Sequence, residues 1–162
     1  MFSVGLSLVA TADTNYVYVT GSTAGRGAFY ATCNDNTGNG LFDAGTLSLL
    51  QTSGGSGSGA SYMNFWGKIT NVDYVIKCHW SGSEGGIADL AGPRSSNFLT
   101  DDGSATTESA TVNLCAADND KLFSKNPTAQ LTGSKVAVIP FKLVKEKGSA
   151  ASLTDATIPS FR

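Results

Sequence analysis

Apolar and polar residues alternate near the start of the chain and predict a β-strand there. In "SVGLSLVA" (residues 3–10), the apolar residues Val4, Leu6 and Leu8 are separated by Ser or Gly, which is the period of a half-buried strand. Short runs rich in β-branched and aromatic residues, bounded by Gly, Ser, Asn and Asp, recur along the chain. They predict further strands in "NYVYVTG", "RGAFYATC", "TLSLLQT", "TVNLCAA" and "SKVAVIPFKLVKE".

The sequence pattern in the middle of the chain predicts consecutive strands that are joined by hairpin connections. Residues 62–80, "YMNFWGKITNVDYVIKCHW", hold two strands with a break near Thr70 and Asn71. The preceding segment 53–61, "SGGSGSGAS", has the composition of a flexible connection, and we interpret it as a long hairpin loop. Residues 81–110 are dense in Gly, Ser and Asp and predict irregular surface with one helical turn around 87–91. Asp and Asn residues within 118–124 favour the start of a short helix.

These short strands with frequent turns predict an all-β fold. We expect a single antiparallel β-sandwich or jelly-roll-like domain, with a small β-barrel as the alternative. At 162 residues the chain has the size of one domain. We assign residues 1–147 to the sandwich domain and residues 148–162 to a C-terminal arm. The apolar residues Ile158, Pro159 and Phe161 of this arm are predicted to bind a partner.

The charge content changes the interpretation of the surface. Charged residues make up 15% of the chain, against about 25% in typical domains. Residues 1–60 hold only Asp13, Arg26, Asp35 and Asp43 as charged side chains. Since interface cores are depleted in charge, this half of the chain is a candidate for contact with neighbouring chains. A polar, uncharged surface typical of a secreted protein is the other interpretation.

Charge and hydropathy argue against several partner classes. The net charge is −2, so the chain lacks the basic surface typical of proteins that bind nucleic acid directly. It has no run approaching the roughly 18 to 20 apolar residues of a membrane span. The first residues lack a basic region and predict a strand instead of a signal peptide. The three cysteines, Cys33, Cys78 and Cys115, have no CxxC spacing and predict reduced thiols.

Residues 33–45, "CNDNTGNGLFDAG", partly match a calcium-binding loop. A loop that starts at Asp35 offers oxygen ligands from Asp35, Thr37, Asn39 and Asp43, but Thr46 occupies the position of the bidentate carboxylate that closes such a site. The pair at positions 39 and 40, Asn-Gly, is a strong signal for a two-residue hairpin turn. We favour a turn, with a weak Ca²⁺ site as the alternative, and expect no other cofactor.

Catalytic chemistry is not favoured by the sequence. His79 is the only histidine, and its neighbour Cys78 points to the opposite face of a regular strand. Paired acids at 101–102 and 118–120 lie in turn-like sequence, where carboxylates commonly cap backbone groups. "GSTAGRG" at 21–27 lacks the GK[ST] ending of a phosphate-binding loop and predicts a hairpin. We therefore expect that the protein is not an enzyme.

The function that ranks first is assembly. We expect a structural protein of a larger particle, a virion component such as a decoration, cement, coat or tail subunit, that contacts copies of itself and other particle proteins and assembles in a host cytoplasm. The alternative is an extracellular β-sandwich module that binds glycans through exposed aromatic residues, with Ca²⁺ at residues 35–43.

Overall fold

The computed structural model describes residues 14–92 and 94–135. Within these ranges the chain forms seven strands and two α-helices. In chain order they are β1 (Asn15–Gly21), α1 (Arg26–Cys33), β2 (Leu49–Ser53), β3 (Tyr62–Ile69), β4 (Val72–His79), α2 (Ser83–Ala91), β5 (Ser95–Leu99), β6 (Thr107–Thr111) and β7 (Leu114–Ala116). Short 3₁₀ turns span Gly57–Gly59 and Lys121–Phe123.

The strands form two sheets. Five of them make a mixed sheet in the order β2-β3-β4-β1-β7, while β5 and β6 form a separate antiparallel pair. The expected β-rich fold is confirmed at this level. The expectation of purely antiparallel pairing is wrong, because β1 runs parallel to both β4 and β7. In the part of the chain described here, neither sheet closes into a barrel.

The segment "RGAFYATC" forms helix α1, and its prediction as a strand was wrong. Phe29, Tyr30 and Cys33 have the i, i+1, i+4 spacing that places side chains on one face of a helix. Cys33 is buried, and Phe29 and Tyr30 pack against the core, so the helix is stabilised by tertiary burial. Residues 21–27 therefore connect a strand to a helix, and the hairpin predicted there is also wrong.

Residues 81–110 are far more regular than their composition predicts. They contain α2 and most of the β5–β6 hairpin. Gly86 of α2 serves packing, since a Cβ there would lie 2.8 Å from the Cα of Gly21 in β1 and 2.7 Å from the Sγ of Cys115. The helix approaches the sheet closely because Gly86 and Gly21 lack side chains. The helical turn predicted around 87–91 is confirmed and extends back to Ser83.

Both predicted hairpins of the central sheet are confirmed. Strand β2 pairs antiparallel with β3 across the Gly- and Ser-rich loop, and β3 pairs with β4 across a two-residue turn. Thr70 and Asn71 in this turn have φ angles of 51° and 65°. Positive φ at both central residues is the geometry of a type I′ turn, whose twist matches that of the flanking strands.

The central sheet has one apolar and one polar face. The apolar face carries the main core, together with α1 and the loop that follows it, and its buried members include Val19, Cys33, Phe42, Met63, Phe65, Ile76 and Cys78. On the opposite face, paired positions of four adjacent strands are polar: Gln51, Asn64, Lys77 and Tyr18. The hydrogen bond from Asn64 Nδ2 to the Leu99 carbonyl, 3.2 Å, joins this polar row to β5.

Candidate functional site

Residues 34–48 connect α1 to β2, so the hairpin turn predicted at 39–40 is wrong. The carboxylate of Asp35 accepts hydrogen bonds from the backbone N–H and hydroxyl of Thr37 at 2.8 and 2.6 Å, and these bonds lower the pKa of Asp35. The amide of Asn39 donates to the hydroxyl of Thr37. Asp43 instead accepts from the backbone N–H groups of Thr70 and Asn71 at 3.1 and 2.7 Å.

The two carboxylates of the candidate Ca²⁺ loop thus serve different parts of the fold. Asp35 orders its own turn, whereas Asp43 fixes the turn between β3 and β4. Within residues 14–92 and 94–135, no three His, Cys, Asp or Glu side chains are grouped closely enough to hold a metal ion. Ca²⁺ binding by Asp35, Thr37, Asn39 and Asp43 stays a prediction.

The role of Asp43 in the turn can be measured. We expect Asp43→Ala to lower the free energy of unfolding by about 2 kcal/mol, because two backbone donors lose a charged acceptor. Asp43→Asn keeps one oxygen acceptor and should cost less than half as much. Urea denaturation of both variants checks this, and equal stability of Asp43→Ala and the unsubstituted protein would contradict the assignment.

His79 lies on the polar face of β4, opposite Cys78, as the strand periodicity predicts. Its Nδ1 is 3.0 Å from the hydroxyl of Ser96, and its ring stacks on Tyr62 with centroids 4.5 Å apart. Burial lowers the pKa of His79, while the carboxylate of Asp89 acts in the opposite direction. Ser96 is only 7% exposed, so this pair joins β4 to β5 and offers no accessible nucleophile.

All three cysteines are free thiols, as predicted. Burial raises the pKa of Cys33 to about 12 and that of Cys115 to about 11, and it raises the pKa of Cys78 in the same direction. A reactive cysteine requires the opposite shift, because the thiolate is the nucleophile. These thiols therefore pack as small apolar groups.

The buried thiols predict a loss of stability in alkali. The pKa of Cys33 is higher in the folded chain than the roughly 8.5 of an exposed thiol. The stabilisation that the buried neutral thiol gives the folded chain is therefore complete below about pH 8.5 and is lost as the pH rises toward 12. We expect the slope of unfolding free energy against pH, between 9 and 11, to become shallower by about 1.4 kcal/mol per unit in Cys33→Ala. Cys33→Ser should show the same slope change despite a different overall stability. An unchanged slope in both variants would contradict this.

Lys77 is the central group of a buried ion-pair cluster that the sequence analysis did not single out. Its side chain is 0% exposed, and its Nζ lies 2.7 Å from Asp101 and donates to Glu108 and to the Leu99 carbonyl. Tyr16 donates to the other oxygen of Asp101 at 2.8 Å. The signal was a charged residue within the apolar run of β4, where only a paired charge is tolerated. All three ammonium protons have acceptors, so the cluster joins the sheet to the β5–β6 hairpin.

The predicted acidic pairs have separate structural roles. Asp101 belongs to the Lys77 cluster, and Asp102 accepts bonds from Thr100 and Ser104 within its own loop. Asp118 accepts from Ser22 at 2.7 Å and from Ser83. These carboxylates do not form a facing pair of the kind that a glycosidase needs.

An exposed apolar pair follows β7. Leu122 and Phe123 are 78% and 76% exposed, the highest values among the large apolar side chains described. They lie on a 3₁₀ turn capped by Asp120, whose side chain accepts from the Leu122 N–H at 2.9 Å, which confirms the helix start predicted there. Glu84 of α2 accepts from Asn119 and Ser124 on either side of the turn. We call Leu122 and Phe123 the apolar turn.

An apolar groove of about 270 Å³ runs along the core face of β1. Its walls come from β3, β4 and β7, from α1 and from the loop after α1. The lining residues are Val17, Val19, Phe29, Leu41, Ile69, Tyr74, Ile76 and Leu114. Leu114 is 50% exposed, so the groove is open on the side of β7.

A second, more polar cleft of about 380 Å³ lies near the β3–β4 turn. Trp66, Tyr74, Lys68 and Asp73 contribute to its lining. Lys68 and Asp73 form an exposed ion pair at 3.7 Å. The indole of Trp66 beside charged and hydroxyl groups suits a sugar, which has apolar and polar edges.

The fold and these surfaces define a β-rich protein with a mixed five-stranded sheet and open apolar surfaces. Comparison with protein-family models, with curated protein sequences and with solved structures gives no significant match. In the described ranges, neither helix is long and apolar enough to cross a membrane. The predicted partner-binding residues Ile158, Pro159 and Phe161, and the boundary at residues 147–148, lie outside the described residues.

Proposed function

We propose that the protein is a structural subunit that assembles with copies of itself and with other proteins of a larger particle. The observation that supports this most is the apolar turn. Leu122 and Phe123 are presented to solvent by a turn that is fixed by Asp120 and Glu84. Holding two large apolar side chains in water on an ordered surface is typical of interaction sites.

A rigid apolar anchor suits assembly for energetic reasons. Interfaces concentrate their binding energy in a few large side chains that fill pockets on the partner. Because the turn is already ordered, binding immobilises few further groups, which reduces the entropic cost. The predicted arm at residues 148–162 is part of the same proposal, in which Ile158, Pro159 and Phe161 bind a neighbouring copy as further apolar anchors.

The particle that we propose is a virion, with the chain as a decoration, cement, coat or tail subunit assembled in a host cytoplasm. Low charge in residues 1–60 and free thiols support this. Direct contact with nucleic acid or a membrane is not part of the proposal. A β-sandwich or jelly-roll-like domain remains part of the proposal, supported by the two sheets of the β-rich fold.

Substitution of the apolar turn tests this function. We expect the double variant Leu122→Ser, Phe123→Ser to raise the apparent dissociation constant of assembly about tenfold or more. Lys125→Ser, an exposed change just after the turn, is the matched control and should assemble normally. Sedimentation velocity over a concentration series measures both. Equal assembly of the double variant and the control would contradict a role for the apolar turn.

The second candidate function, glycan binding, is favoured by the cleft that contains Trp66 and Tyr74. In that case Trp66→Ala should abolish binding of an oligosaccharide found in a glycan screen, while the fold is retained. Titration calorimetry compares the affinity of Trp66→Ala with that of the unsubstituted protein. Binding that survives Trp66→Ala would remove this cleft from consideration.

A further inference from the structure

Two buried amide oxygens occupy neighbouring positions on the polar face of the central sheet. Gln51 of β2 and Asn64 of β3 are directly paired across the ladder, so their side chains leave the same face of the sheet side by side. Asn64 is 0% exposed. In the part of the chain that the structure describes, Gln51 Oε1 and Asn64 Oδ1 are both buried, and neither accepts a hydrogen bond. A buried acceptor without a donor destabilises a fold, so each oxygen requires a partner.

The orientation of both amides is fixed by the end of β5 and the loop after it. Gln51 Nε2 donates to the Ser104 carbonyl at 2.6 Å. Asn64 Nδ2 donates to the carbonyls of Leu99 and Thr100 at 3.2 and 3.4 Å. Turning either amide over would place its oxygen against a carbonyl oxygen, and neither of those two atoms could donate. The amide nitrogens therefore face the loop, and the oxygens are the atoms left without a donor.

The charged donor on the adjacent strand is already used. Lys77 of β4 is directly paired with Asn64, but its three ammonium protons have acceptors in Asp101, Glu108 and the Leu99 carbonyl. A metal ion is disfavoured as the partner, because an ion such as Ca²⁺ takes about six to eight oxygen ligands and Lys77 already supplies a positive charge to this layer. The two amide oxygens therefore call for a small, uncharged group with two hydrogen-bond donors.

We propose that the polar layer between the central sheet and the β5–β6 hairpin binds one water molecule, which donates one proton to Gln51 Oε1 and the other to Asn64 Oδ1. A water that donates at about 2.8 Å to each of two oxygens holds them about 4.5 Å apart. Directly paired residues have Cβ atoms about 4.5–5.5 Å apart, which suits such a bridge. Buried waters commonly satisfy polar groups that the chain leaves unpaired. The water joins β2 to β3 beneath the hairpin, whatever the role of the protein in a particle.

A high-resolution crystal structure of the full chain tests the site directly. We expect one ordered water whose oxygen lies within about 3.2 Å of both Gln51 Oε1 and Asn64 Oδ1. A side-chain or backbone donor in its place, a metal ion with further oxygen ligands, or no ordered atom between the two amides would each overturn the proposal.

Oxygen-17 magnetic relaxation dispersion gives a second test in solution, because its amplitude reports the number of long-lived buried waters. Gln51→Met removes one of the two acceptors at similar side-chain volume and should lower that number by about one. Gln130→Met is the matched control, since Gln130 is exposed and its Nε2 also donates to a backbone carbonyl, that of Ala91, at 2.7 Å. The control should keep the full number. An unchanged number in Gln51→Met, or an equal fall in both variants, would contradict the proposal.

Discussion

Replacing Lys77 with methionine should lower the free energy of unfolding by about 3 kcal/mol. The substitution keeps most of the buried volume but removes the cation that Asp101, Glu108 and the Leu99 carbonyl share. Breaking a buried pair by removing one partner costs about 3–5 kcal/mol. Since Asp101 and Glu108 are 34% and 46% exposed, water compensates part of this loss, which places the estimate at the lower end.

The neighbouring strand supplies the control. Lys68 forms its ion pair with Asp73 at 45% and 43% exposure, and exposed pairs contribute only about 0–1 kcal/mol. Lys68→Met should therefore change the free energy of unfolding by less than about 0.5 kcal/mol. Urea denaturation at pH 7 gives both values. Similar effects of the two substitutions would show that the Lys77 cluster does not stabilise the fold.

Alkaline titration separates the charge of Lys77 from its packing. Burial acts against the charged form, but the hydrogen bonds and charges of Asp101 and Glu108 outweigh it and raise the pKa of Lys77. With the folded pKa above the unfolded one, the stabilisation is complete below about pH 10 and is lost as the pH rises further. The difference in stability between the unsubstituted protein and Lys77→Met should therefore shrink above pH 10.

Replacing Phe42 with alanine should lower the free energy of unfolding by about 4 kcal/mol, the usual cost of truncating a buried phenylalanine. Phe42 is 1% exposed and belongs to the loop after α1. Its ring packs on Gly67 of β3, where a Cβ would lie 2.7 Å from the Cδ1 of Phe42. The absence of a side chain at position 67 lets the ring lie directly on the strand.

Phe123→Ala is the matched control, since it makes the same change at a side chain that is 76% exposed. Its effect on unfolding should stay below about 0.5 kcal/mol, while its effect on assembly should be large. Thermal and urea denaturation of Phe42→Ala and Phe123→Ala measure the two effects on the free energy of unfolding. If Phe42→Ala is as stable as Phe123→Ala, the loop after α1 does not anchor the core.

Local signals in the sequence predicted part of the fold. The β2–β3 and β3–β4 hairpins were predicted because short runs of apolar and aromatic residues are separated by connections with recognisable turn chemistry. Helix α1 was missed because "AFYATC" is rich in residues that favour strands, and only the burial of Phe29 and Cys33 against the sheet decides its conformation. Gly86 of α2 resembled a helix breaker because its role, close approach to Gly21, depends on a contact distant in sequence.

The candidate sites were harder to predict for the same reason. The parallel pairing of β1 with β4 and β7 joins strands that are far apart along the chain, and no local pattern specifies it. The partners of Lys77 come from a loop and a strand more than twenty residues away. The Ca²⁺ pattern at 35–43 is local, yet Asp43 contacts a turn twenty-seven residues later. Spacing within a loop does not reveal such contacts.

Light scattering coupled to size-exclusion chromatography would test the assembly function most directly. The purified chain would be run with Ca²⁺ and again with a chelator, beside a variant that ends at residue 147. We expect the full chain to form a large or concentration-dependent assembly in both buffers, and the shortened chain to fold but assemble less. A monomer of 16.7 kDa for the full chain in both buffers would contradict the assembly function and favour the glycan-binding alternative.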